Sequence, residues 1–168
     1  MFWPMTRRAI ASIVGFFLGW TIFQFVRPVE SVPAVEAPFA QVLEIKLLSQ
    51  GCADASLECP VFDMTLRSNG TGSFLGHANH WLKGKHEGTF SEEDFKYLVD
   101  ELYKQEFFAL PAHYAAESAD ETIVVEVVTT DGTHRVTSDS WDTMNGALRA
   151  IHARLWYEHY YVYWEEVK

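Results

Sequence analysis

Two turn signals constrain this chain more than any other feature. Asn69-Gly70 stands between Val61–Arg67 and Thr71–Leu75, and Asp131-Gly132 stands between Thr122–Thr129 and Thr133–Thr137. The flanking runs alternate in polarity or are rich in β-branched residues, and a turn that accepts positive φ folds such runs back as an antiparallel hairpin. In the first hairpin Phe62, Met64 and Leu66 share one face. A further strand is expected at Val42–Leu47, where Leu43, Ile45 and Leu47 alternate with charged residues, and another near Trp81–Gly88, where Gly84 and several lysines and histidines weaken the pattern.

Ser91 opens the clearest helix. It can cap the backbone, Asp94 stands at the return position of a capping box, and Phe90 and Phe95 are placed as a hydrophobic staple. Phe95, Leu98, Val99 and Leu102 follow at helical spacing and give one apolar face. A second helix is expected from near Asp142, with Met144, Leu148, Ile151 and Leu155 on one side. Strands, helix, hairpin, helix is the order of an α+β fold. The expected architecture is an antiparallel sheet with helices on one face.

Ahead of this domain, residues 9–26 form an 18-residue run without a charge, and Arg7 and Arg8 precede it directly. At 1.5 Å per residue the run spans about 27 Å, close to the hydrocarbon thickness of a bilayer and longer than a signal-peptide core. The expectation is a single transmembrane anchor, residues 1–8 being a cytoplasmic tail. Its alternative is a signal cleaved after Val35-Glu36-Ala37, which would release a secreted soluble domain. Ala11, Gly15 and Gly19 recur at every fourth position, a spacing that lets two membrane helices approach closely, so a homodimer through this segment is one expectation. Pro28, Pro33 and Pro38 make residues 27–40 an extended linker, leaving residues 41–168 as one domain.

Charge divides at the same place. From Pro28 onward ten basic residues stand against all 23 acidic ones, within a chain of net charge −10. Such a surface repels phosphate backbones and anionic headgroups, which excludes nucleic acid as a natural partner.

Cys59-Pro60-Val61-Phe62-Asp63-Met64-Thr65-Leu66, then Asn69-Gly70-Thr71 and Gly76, resemble the Cys-Pro-Val-Tyr, strand, Asp-Gly-Thr, strand signature of the bacterial domain of unknown function 6438 family. Phe107-Phe108-Ala109-Leu110, Tyr114 and Asp120 resemble the family's Phe-Phe-x-Leu, Tyr and Asp positions. The resemblance covers roughly residues 43 to 155 and implies an extracytoplasmic setting with no known activity. The family usually places its two cysteines three residues apart, whereas Cys52 and Cys59 enclose six.

Cys52 and Cys59 are the only cysteines, and outside the cytoplasm a structural disulfide is their expected state. His77, His80 and His86 lie within ten residues and could offer nitrogens to zinc or copper, but residues at odd separation on a strand face opposite sides and no HExxH spacing exists. No metal or other cofactor is expected. No GxSxG elbow or phosphate-cradling loop is present, and His113, Tyr114 and Asp120, in an irregular loop, are the remaining catalytic candidates. At the carboxy end six aromatics fall within the nine residues 156–164. Trp156, Tyr160 and Tyr163 share a helical face that could extend the core. Tyr157, Tyr161 and Trp164 would then form an exposed interaction face, unless the segment closes the sheet as a last strand.

The sequence therefore leads to the expectation of a bacterial inner-membrane protein, amino end inside, with a periplasmic or extracellular α+β domain that acts as a cell-envelope binding or interaction module for a protein partner. The alternative is a small hydrolase-like enzyme built on the loop from His113 to Asp120.

Overall fold

The structure, a computed structural model, describes residues 42–52, 59–117 and 121–168. Its strands are β1 (Val42–Cys52), β2 (Val61–Arg67), β3 (Thr71–Ala78), β4 (Gly84–Thr89), β5 (His113–Tyr114), β6 (Glu121–Thr129), β7 (Gly132–Ser138) and β8 (Tyr163–Glu166). Helix α1 (Glu92–Lys104) follows β4, and α2 (Gly146–Glu158) follows β7. All eight strands form one sheet in the order β5-β7-β6-β1-β2-β3-β4-β8.

Alternation along the strands produces one wet face and one dry face. Ile45 and Leu47, Phe62, Met64 and Leu66, Phe74, Ile123, Val125 and Val127, and Val136 point into the core. There they meet Phe95, Leu98, Val99 and Leu102 of α1 and Leu148, Ile151 and Leu155 of α2. The opposite face carries charge ladders such as Arg135–Glu126–Lys46 and Glu44–Arg67. One-sided burial of this kind pins the register, because a slip of one residue would turn every apolar side chain to water.

The elements begin where local chemistry places them. Ser91 accepts the Asp94 amide while the Asp94 carboxylate accepts the Ser91 amide, and the Phe90 and Phe95 rings lie 6.1 Å apart. Gly70, at φ 77°, forms the first turn, and Gly132, at φ 145°, opens β7 after the second. Helix α2 begins at Gly146, four residues later than the pattern suggested, because the Asn145 side chain accepts the Leu148 amide and the residues from Ser140 to Met144 form turns. Strand β4 likewise starts only at Gly84, since Asn79 (φ 52°) and Gly84 (φ 81°) bend the backbone between β3 and β4. In β1, a register shift between Val42 and Glu44 buries Val42 and exposes Leu43, which alternation had assigned to the core.

The expected fold class requires correction. The sheet is mixed rather than antiparallel: the two residues of β5 run parallel to Thr137 and Ser138 of β7 at one edge, and β8 adds to β4 at the other. Pairs this short leave no periodicity to read. The expected transmembrane helix at 9–26, with Ala11, Gly15 and Gly19, lies outside the described residues, as does the linker at 27–40. Among the described residues no helix is long and apolar enough to cross a membrane. Both helices have 13 residues, about 20 Å against a core of about 30 Å. The described fold, from Val42 onward, therefore contains no membrane-spanning helix among its described residues. The Cys52 side chain lies outside the described residues, so the expected Cys52–Cys59 bridge is not itself described, and no cysteine is free.

Candidate functional site

At one end of the dry face, where β1, β2 and β6 meet α2, the core opens into a cleft of about 310 Å³. Its walls are Phe62, Trp141, Trp156 and Tyr157, and Ser49, Pro60, Glu121, His152 and Ala153 complete the lining. Each wall is placed by a local rule. Ser49 follows Ile45 and Leu47 on the inward row of β1, and Glu121 heads the inward row Ile123, Val125, Val127 of β6. His152 and Trp156 stand four residues apart on α2, so they share a flank beside the helix's core stripe. Trp141 projects from the turn after β7. The Ser140 carbonyl there accepts from Ser138 Oγ at 2.8 Å and from Thr143 Oγ1 at 2.9 Å.

His152 organises the aromatic walls. Its ring lies parallel to Trp156, at 8° and 6.5 Å, and perpendicular to Trp141, at 76° and 4.9 Å. The two indole planes consequently stand nearly at right angles, as two sides of a box. Phe62 leans on Trp156 at 5.4 Å.

The polar groups are few. Ser49 Oγ donates to the Pro60 carbonyl at 2.6 Å and also stands 3.3 Å from Glu121 Oε1. Burial lifts the Glu121 carboxyl above the usual carboxylate range, and Ser49 opposes the shift. Burial also pushes His152 down to about 4, so its ring is neutral at pH 7, with Nδ1 unpartnered among the described residues.

The aromatic lining continues inward from the cleft. His159, stacked on Trp156, is buried against His80, Phe74 and Tyr160 as well. Burial and the neighbouring His80 together push it down to about 4.

The residues singled out from sequence scatter across the fold. His77 lies on the wet face beside Asp63, at 3.2 Å, whereas His80 and His86 are buried on the dry side. The described residues hold no group of three or more His, Cys, Asp or Glu that could bind a metal ion. His113 Nε2 bonds Asp139 Oδ1 at 2.7 Å, an interaction that lowers the Asp139 carboxyl. Tyr114 packs on the core with its hydroxyl unpartnered among the described residues, and Asp120 lies outside them. Tyr157 and Tyr161 are exposed and bond through their hydroxyls; Trp164 instead packs inward across Gly72 and Gly88 and donates to the His159 carbonyl. Glu121, His152 and Trp141 were not anticipated. A carboxylate heading an inward β-branched row was the signal available for Glu121.

A larger depression of about 710 Å³ lies on the wet face, lined in part by Arg67, Ser73, Lys85, Glu87, Tyr163 and Glu165. Its charges are mixed in sign and partly paired, as in Lys85–Glu87 at 3.4 Å, so no single ligand charge is selected there. The cleft has the concave, mostly apolar character of a small-molecule site, with a few convergent polar groups.

Fold and cleft together define an α+β domain whose sheet carries charge ladders on one face and an aromatic-walled cleft on the other. Residues 43–157 match the domain of unknown function DUF6438, and the chain belongs to that family. No curated protein matches it.

Proposed function

We propose that this domain is a binding module that takes a small ligand, or a small group on a larger partner, into the aromatic cleft. The observation that carries the reading is that the right-angled pair Trp141 and Trp156 lines the same cleft as an inward-facing carboxylate, Glu121. Tyr157, expected from sequence in an interaction face, belongs to the same cleft. Aromatic walls of this kind bury large area at little entropic cost, which is how binding surfaces concentrate affinity.

The local chemistry favours binding over hydrolysis. Ser49 is 3% exposed and its hydroxyl is engaged by the Pro60 carbonyl, so it is not held as a nucleophile. The His152 ring lies between two indoles with its pKa lowered, a setting that supports packing more than proton transfer.

A fragment screen by protein-observed NMR on the full-length chain tests the reading. Binders are expected to shift the indole N–H signals of Trp141 and Trp156 and the amide of Glu121, with the shifts lost in Trp156→Ala. Binders that map only to the wet face around Ser73 and Tyr163 would overturn it.

A further inference from the structure

We propose that the group bound in this cleft is a methylated ammonium cation, held against Trp141, Trp156 and Tyr157 with its charge balanced by Glu121. This inference rests on the binding reading above and names the ligand class for that site.

Charge decides the sign of the ligand. Among the described residues that line the cleft, Glu121 supplies the one carboxylate, His152 is neutral at pH 7 and no lysine or arginine takes part. A half-buried carboxylate without a cationic partner is an unfavourable arrangement that a bound cation relieves. Four aromatic side chains in the same lining, Phe62, Trp141, Trp156 and Tyr157, supply the second half of the recognition. The electron-rich faces of tryptophan and tyrosine attract a cation within about 6 Å, and aromatic boxes are the recurring receptor for quaternary ammonium groups. Trp141 already makes one such contact, with the Arg149 guanidinium 5.8 Å from its ring. That guanidinium is tied to the Asp142 carbonyl and is no part of the lining.

Hydrogen-bonding capacity selects the methylated form. A primary ammonium brings three N–H donors that must all find acceptors once desolvated. The cleft offers one carboxylate, one of whose oxygens already faces Ser49, and a serine hydroxyl committed to Pro60. A trimethylammonium group has no donor to satisfy and presents methyl groups to the rings. The cavity of about 310 Å³ suits a small headgroup.

Tryptophan fluorescence and calorimetry on the full-length chain test this with choline, tetramethylammonium and the uncharged tert-butyl isostere of choline. The expected result is saturable binding of both cations, roughly tenfold or more tighter than the isostere. Glu121→Gln, whose amide preserves the shape and the Ser49 contact, is expected to erase that preference while its thermal melt stays cooperative. Trp141→Ala is expected to weaken both cations. Co-sedimentation with phosphatidylcholine vesicles, competed by free choline, would assign the cation to a lipid headgroup; saturation by choline without vesicle binding would assign it to a soluble molecule. An isostere that binds as well as choline, or choline affinity unchanged in Glu121→Gln, would overturn the cation assignment and leave the cleft reading standing. Absence of any cation binding would overturn it too, and the fragment screen then decides separately whether the cleft binds at all.

Discussion

His80 and His159 lie edge to face inside the domain, ring centroids 5.0 Å apart at 70°, although they come from the β3–β4 connection and the end of α2. Burial lowers the pKa of both rings, so protonation works against this packing. His86 and His152 stand in the same aromatic environment, the first against Phe74 and the second against Trp156.

Acid should therefore loosen the fold. Burial lowers the folded-state pKa values of His152 and His159 to about 4, against 6.5 for an exposed histidine. Between these limits the unfolded chain binds more protons, so stability falls as pH drops from about 6.5 to about 4, by about 3 kcal/mol per ring. Glu121 and Glu158, both raised by burial, act in the opposite sense and flatten the lower part of the curve. Melting temperature against pH is the measurement. His159→Phe should reduce the slope in this window, and an unchanged slope would contradict the assignment.

Arg154 pairs with Glu158 one helical turn away and lies 4.5 Å over the Tyr97 ring of α1. Glu158 is only 5% exposed. Arg154→Ala leaves that carboxylate buried without its cation and should destabilise by about 3 kcal/mol at pH 7 in urea unfolding. The loss should shrink on acidification, because a protonated Glu158 needs no partner.

Trp164 lies directly over Gly72 and Gly88. A Cβ at Gly88 would come within 2.5 Å of Val162 Cγ1 and 2.7 Å of Trp164 Cε3. Gly88→Ala should therefore displace β8 and cost about 2 kcal/mol by overpacking. Hydrogen exchange should show faster amides at Tyr163–Glu166, and protection equal to wild type would refute the argument.

Ser91→Ala should lower stability by about 1 kcal/mol through loss of the α1 cap, measured by thermal unfolding. Ser91→Asp should restore most of it, because a carboxylate can accept the same amide. Equal losses in both variants would show that the cap itself contributes little.

Local chemistry alone determined both hairpins, the Ser91 capping box, the apolar stripe of α1 and the strands β2, β6 and β7. Each is written in neighbouring residues: a turn that tolerates positive φ, a side chain within reach of the next amides, an alternation of period two. Family membership was equally legible, in Cys59-Pro60-Val61-Phe62 and Phe107-Phe108-Ala109-Leu110. Tertiary structure decided the rest. The parallel pairing of β5 with β7 and the addition of β8 to β4 rest on contacts between distant segments, and pairs of two or four residues carry no period. Leu43 exchanged burial with Val42 through a shift in β1 that alternation cannot foresee. The cleft is the clearest case. Ser49, Glu121, Trp141 and Trp156 look ordinary along the chain, and only the packing of α2 across the ends of β1, β2 and β6 brings a carboxylate and two nearly perpendicular indoles into one cleft.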